Sequence, residues 1–170
     1  MFEITMGVPE IPKGYEVNKR TAVRAVLQYG DCILMVKTNR GDYKFPGGGV
    51  QEGEALEEAL LREIAEETGY VSVQLGDMLG KVIQQRQDYK DKSRYFVMVS
   101  VYYVGNLTDL KNIGLNLDAY EDELDFRGEF VSIREALEEN KKLLQDISLE
   151  RNDWLEREII VLEHMLSHLG

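Results

Sequence analysis

Apolar and polar positions alternate along this chain with two periods, one of strands and one of helices. Strand-like stretches cover Arg20 to Gln28 and Cys32 to Lys37, and Tyr29-Gly30-Asp31 between them reads as a turn. That hairpin leads to a short strand, Tyr43 to Phe45, and then to a glycine-rich loop. Further strands are predicted at Val71 to Gln74, Lys81 to Gln85 and Arg94 to Val104. In the last of these both alternating faces are apolar, Tyr95, Val97, Val99 and Val101 against Phe96, Met98 and Tyr102, which predicts a strand covered on both sides by helices. A strand at Glu129 to Ser132 precedes a helix at Ile133 to Leu144, and a last helix is predicted from Asn152 to Ser167. The last helix carries a wide apolar face, with Leu155, Ile159, Leu162 and Leu166 beside Trp154, Val161 and Met165. Such a face must pack on something: the core is the first expectation and a partner in a homodimer the second. No repeat, low-complexity tract or linker interrupts the order, so the pattern predicts one mixed α/β domain over residues 1–170.

The helical period is clearest within residues 48–70, GGVQEGEALEEALLREIAEETGY. At about 100° per residue, Glu66, Glu63 and Glu67 fall within an arc of roughly 100°. The apolar residues Leu56, Leu60, Ile64 and Leu61 project into a neighbouring arc, and Glu67 falls between Leu56 and Leu60 by rotation. A solvated face explains Glu58, but for Glu67 it predicts the wrong azimuth. Inward carboxylates are costly unless they are paired or bind a metal. Hard cations such as magnesium or manganese take all-oxygen ligand sets of this kind. Gly47, Gly48, Gly49 and Gly53 surround the start of the helix, where a loop can turn sharply and bring backbone amides near a ligand. Gly69 suits the left-handed position that ends a helix.

Gly48, Glu54, Arg62, Glu63, Glu66, Glu67 and Gly69, at the spacing G-x5-E-x7-R-E-x-x-E-E-x-G, resemble the signature of Nudix hydrolases. The departure is Tyr70, where the family usually has a bulky aliphatic residue. The resemblance implies an α/β/α sandwich with a mixed central sheet. It also implies a pyrophosphohydrolase that uses Mg2+ or Mn2+ to cleave a nucleoside diphosphate linked to another moiety: a nucleoside triphosphate, a dinucleoside polyphosphate or a nucleotide sugar. Glu63 and Glu67 would be core metal ligands, and Glu66 would complete the metal site or act as general base. Arg62 would orient a glutamate, although pairing with Glu58 or Glu66 on the helix surface fits its position equally well. Gly48 and Glu54 would shape the loop. Glu67→Gln is then expected to lower turnover by orders of magnitude while leaving the fold intact.

Outside the signature, Arg24 lies mid-strand among Val23, Ala25 and Val26 and needs a partner there. In this fold the first strand often borders the substrate, so Arg24 is a candidate substrate contact, with a buried ion pair as the equal alternative. Lys37, Arg40 and Lys44 precede the glycine loop and could meet phosphates, Lys44 being the one retained. Some relatives take an extra acid from a late loop, and Glu121, Asp122 and Glu123 are placed for it, with Glu123 chosen as the further metal ligand. His164 and His168 lack the glutamate of a zinc-protease motif and read as surface residues.

Composition narrows the partners. The net charge of −11 argues against a nucleic-acid polymer or an anionic membrane, and leaves metal ions as the intermediaries for a small anionic nucleotide. The one cysteine, Cys32, fits a reducing compartment, and neither a signal segment nor a run of membrane-span length is present, so a cytoplasmic protein is expected. Two other readings fit this sequence less well. A ligand-sensing module on the same fold tends to lose signature acids, which this chain keeps. A prenyl diphosphate isomerase would need a catalytic cysteine, for which Cys32 is poorly placed.

Overall fold

The computed structural model describes residues 1–149 and 152–169. Its strands are β1 (Phe2–Gly7), β2 (Glu16–Tyr29), β3 (Cys32–Lys37), β4 (Tyr43–Lys44), β5 (Val73–Gln87), β6 (Arg94–Leu107) and β7 (Arg127–Val131). The helices are α1 (Leu56–Thr68), α2 (Ala119–Glu123), α3 (Ile133–Gln145) and α4 (Leu155–Leu169). One mixed sheet runs in the order β1-β5-β6-β2-β3-β4, with β7 paired to β3. β1 is parallel to β5 and β2 is parallel to β6, while the β2–β3, β3–β4, β3–β7 and β5–β6 pairs are antiparallel.

The period of two along β2 sorts its side chains onto two faces. Val23, Ala25 and Leu27 join Leu34, Val101 and Tyr103 beneath Ala59, Leu60 and Ile64 of α1. Val26, Met35, Phe45, Val82 and Tyr102 form the opposite face, covered by Ala136 and Leu137 of α3 and by Leu155, Ile159, Leu162 and Met165 of α4. The result is an α/β/α sandwich around a mixed sheet. The apolar face of α4 is spent on this core, and no helix among the described residues is long and apolar enough to cross a membrane.

Several elements differ from the sequence pattern. β1 is an additional strand whose pairing with β5 is non-local, and the two stretches expected at Val71–Gln74 and Lys81–Gln85 merge into one strand that begins at Val73 and passes through register irregularities between Leu75 and Gly80. α2 is one turn of helix, built on a reciprocal cap in which the Asp118 side chain accepts from Glu121 N (2.9 Å) and the Glu121 carboxylate from Asp118 N (3.0 Å). α4 starts at Leu155, because Asn152 and Trp154 hydrogen-bond to Asp42 ahead of the helix. Leu61, placed in the apolar arc of α1, is exposed. Phe96 and Met98 of β6 are only half-buried, since the helical cover stops short of that end of the strand.

Candidate active site

The loop between β4 and α1 lies along β2. Val23 N donates to Gly48 O (2.9 Å), Ala25 N to Pro46 O (2.9 Å) and Val50 N to Thr21 O (3.0 Å). Gly47, at φ +139°, approaches β2 so closely that a Cβ would overlap the Val23 carbonyl. From the other side, Asn140 of α3 accepts from Tyr43 N (2.8 Å) and donates to Tyr43 O (2.9 Å), while Glu158 of α4 accepts from Phe45 N (3.0 Å). Strand, loop and helix start are thus held from both layers.

On α1, Glu67 is 1% exposed and Glu63 8%, as the azimuth of Glu67 predicts. Glu67 accepts from Gly47 N (2.9 Å), so the loop that the glycines permit also aims the carboxylate. Gly48 lies against the other acid: a Cβ there would overlap the Glu63 carboxylate. The third member comes from α2, where capping turns Glu121 inward. Carboxylate oxygens of Glu63, Glu67 and Glu121 lie within 4.8 Å of one another. Burial pushes the Glu63 carboxyl up, against the pull of Arg62, and burial also raises Glu121. Glu123, the acid chosen from sequence, is exposed, lies outside this cluster and contributes its backbone carbonyl to Asn39 (2.9 Å). Glu66 is half-buried at the edge of the cluster.

Arg62 ties the helix to its loop. Its Nε and Nη2 donate to the two oxygens of Glu54 (2.8 and 3.0 Å), Nη1 to Glu63 (2.7 Å) and Glu66 (3.2 Å), and Nη2 also to Gly49 O (3.2 Å). This is the geometry of a positioning residue, and Glu58 takes no part in it; the Glu58 carboxylate accepts from Ala55 N (3.4 Å) at the start of the helix. The Arg62 fork and the Gln51 amide hold Glu54 down to about 2. Because this lies below the ordinary value of 4.5, the pairing stabilises the fold in full above about 4.5, and its contribution is lost as pH falls toward 2. A carboxyl-carbon NMR titration is expected to give Glu54 a midpoint near 2. Arg62→Lys, which loses the planar fork, should move the midpoint back toward the ordinary range.

Lys44 and Arg24 form the floor. The Lys44 ammonium is buried, bonded to Glu67 Oε1 and to Gly47 O (3.1 Å), and lies over the rings of Phe126 (4.8 Å) and Trp154 (5.9 Å). Sequence suggested a phosphate contact, whereas here Lys44 is the counter-ion of Glu67. Burial pushes its pKa down and the Glu67 charge opposes that. Arg24 is also buried: its Nη1 donates to Gly47 O, its Nε has no hydrogen-bond partner, and burial together with nearby Arg157 lowers its pKa. Arg24 and Arg157 line a cleft of about 620 Å³ that runs past Trp154 and Tyr120, the neighbour of Glu121. Of the other hairpin cations, Arg40 binds Asn152 Oδ1, and Lys37 donates to Tyr43 Oη (2.9 Å).

A NUDIX domain family profile matches residues 18–151. The chain belongs to the Nudix family. Among curated Nudix proteins, the nucleoside triphosphatase NudI of Salmonella arizonae is 44% identical over 59 residues, which are 31% of this chain and 42% of that protein. The match thus spans about two-fifths of the length of this relative. Solved structures with the same fold include the following two. A NUDIX hydrolase from Nitrosomonas europaea aligns over 87% of this chain and 90% of its own, at 20% identity and a TM-score of 0.57. The MutT protein from Methanosarcina mazei Go1 aligns over 91% and 98%, at 18% identity and a TM-score of 0.52.

Sequence reasoning placed Glu121 among three candidate acids but chose Glu123 over it, and it missed Glu158 and Arg157. The Asp118-x-x-Glu121 spacing of a capping box was the available signal for Glu121. Glu158 and Arg157 carried none, since their roles depend on how α4 meets β4 and β5.

Proposed function

We propose that this chain is a pyrophosphohydrolase that cleaves a nucleoside diphosphate linked to another moiety, by attack of water at phosphorus with the help of Mg2+ or Mn2+. The observation that carries this reading is the convergence of Glu63, Glu67 and Glu121 beside an arginine-lined cleft. The donor set fits a hard divalent ion: it is all carboxylate, two members are buried, and the absence of a side chain at Gly48 keeps room at Glu63 that a Cβ would fill. Glu63 and Glu67 would hold the ion, with Glu121 as third ligand. Such an ion supplies Lewis-acid polarisation of phosphoryl oxygens and a lowered pKa for water.

The chain's own groups would do the rest. Arg62 fixes Glu63 and Glu66, and Glu66, which accepts from Arg62 through Oε2, keeps Oε1 to take a proton from the attacking water. The unpartnered Nε of Arg24 is a donor for an anionic oxygen. Lys44 balances one acid charge in the protein by itself and would be freed from Glu67 on loading. The 44% identity to a nucleoside triphosphatase over the matched 59 residues favours nucleoside triphosphates as the first substrates to try.

The test is hydrolysis of a panel of nucleoside triphosphates, dinucleoside polyphosphates and nucleotide sugars, with magnesium, manganese or chelator, and phosphatase treatment of the products. Metal-dependent phosphate release from one class is expected. No release from any class with either metal would contradict the proposal.

A further inference from the structure

The cleft beside the acids has a composition that metal chemistry does not require. Arg20 on β2 stands opposite Met98 on β6, and Met98 opposite Gln84 on β5; one step further along the same face, Phe96 stands opposite Arg86. These positions continue the face whose other end, at Val82 and Tyr102, is buried under α4. Because α4 begins at Leu155, this end of the sheet is left open, and Arg20, Gln84, Arg86, Phe96 and Met98 line the cleft. The guanidinium carbon of Arg86 lies 3.8 Å from the centre of the Tyr89 ring and 5.0 Å from that of Phe96. Among the described residues Arg86 has no ion-pair partner, in a chain with 31 acidic residues. The Asp88 carboxylate is close enough to feel the Arg86 charge without pairing with it, and what packs against the guanidinium is two rings.

A guanidinium stacked on aromatic faces is held flat, with its rotamer entropy already lost, and offers a planar surface together with edge donors. A phosphate alone needs the donors but not the rings. An aromatic heterocycle with acceptor atoms on its edge uses both, as bases stacked on aromatic and arginine planes do. The neighbouring amide of Gln84 already accepts from Arg157 Nη1 (3.1 Å), which fixes its orientation. The cleft lies near the acids, since the Trp154 ring in its wall is 5.9 Å from the Lys44 ammonium that pairs with Glu67.

We propose that Arg86, stacked on Tyr89 and Phe96, is a specificity-determining residue that receives the nucleobase of the substrate. The assignment rests on the functional reading above for the identity of the ligand as a nucleotide, and binding tests it independently of turnover.

Trp154 is the only tryptophan of the chain and lines the cleft, so its fluorescence reports occupancy. Protein with saturating magnesium and its Arg86→Ala and Arg86→Lys variants would be titrated with AMP, GMP, CMP and UMP, which carry no anhydride bond to cleave, and with ribose 5-phosphate as the ligand without a base. Circular dichroism would verify the fold of each variant. The expected result is that Arg86→Ala weakens the best nucleotide at least tenfold and changes ribose 5-phosphate less than twofold, with Arg86→Lys restoring only part of the loss. Equal loss for both ligands would make Arg86 a phosphate contact and overturn the proposal. So would unchanged affinity for all of them, or no response of the wild-type protein to any nucleotide. Base-dependent binding without hydrolysis of any panel member would overturn the hydrolase reading and leave this one standing.

Discussion

Glu67→Gln is expected to lower metal-dependent turnover by about 10²–10³-fold, the scale on which losing one preorganised electrostatic group at a reacting centre is felt. It is also expected to destabilise the metal-free protein, contrary to what the motif alone suggests. Glu67 is 1% exposed and pairs with a Lys44 that is 3% exposed. Removing one charge of such a pair leaves the other buried and uncompensated, at a cost on the order of 3 kcal/mol. The glutamine oxygen can still accept from Gly47 N, so the loop should keep its path. Thermal melting in chelator reads the stability change, and steady-state kinetics with saturating magnesium reads the turnover. The double substitution Lys44→Met with Glu67→Gln should recover most of the lost stability and none of the turnover. Activity of Glu67→Gln within threefold of wild type would contradict the role assigned to this carboxylate.

Gly47→Ala is expected to be the most destabilising single change in the loop. The residue combines φ +139° with a Cα that faces the backbone of β2, so an alanine adds both backbone strain and an overlap with the Val23 carbonyl. Each effect costs about 1–3 kcal/mol. The loop can escape only by leaving β2, which breaks the bonds from Val23 N to Gly48 O and from Ala25 N to Pro46 O. A total of roughly 3 kcal/mol or more is expected in urea denaturation. Two residues along the same loop, Gly49 has no positive φ, and a Cβ there would meet nothing within 4 Å. Gly49→Ala is therefore expected to change stability by no more than about 0.5 kcal/mol. Equal midpoints for the two variants would show that the loop is not pinned as described.

The contrast between these glycines shows where sequence reading stops. Rotation about a single helix was enough to turn Glu67 inward, because periodicity is local and the apolar arc around it is dense. The hairpin of β2 and β3 was legible for the same reason. The partners of these elements were not. β1 is a short run held by parallel pairing to a strand more than seventy residues away, as in Ile4 opposite Val82, and pairing at that separation leaves no local pattern. Glu121 and Glu123 differ by two residues on a one-turn helix, so the cap at Asp118 decides which of them faces α1. Lys44 alternates correctly within its strand, yet only the approach of α1 to the loop shows that it meets a carboxylate rather than solvent. Phe96 and Met98 look like core by composition, and they line a cleft because α4 begins at Leu155.

Equilibrium binding of Mn2+, followed through the electron paramagnetic resonance of the free ion, is the most direct test of the acid cluster as a metal site. It should be made on the wild-type protein and on Glu63→Gln and Glu121→Gln. We predict saturable binding by the wild type and a loss of at least about 10-fold in affinity in each variant, the lower end of what disturbing a metal site typically costs. Wild-type affinity retained in both variants would contradict the assignment of this cluster as the metal site.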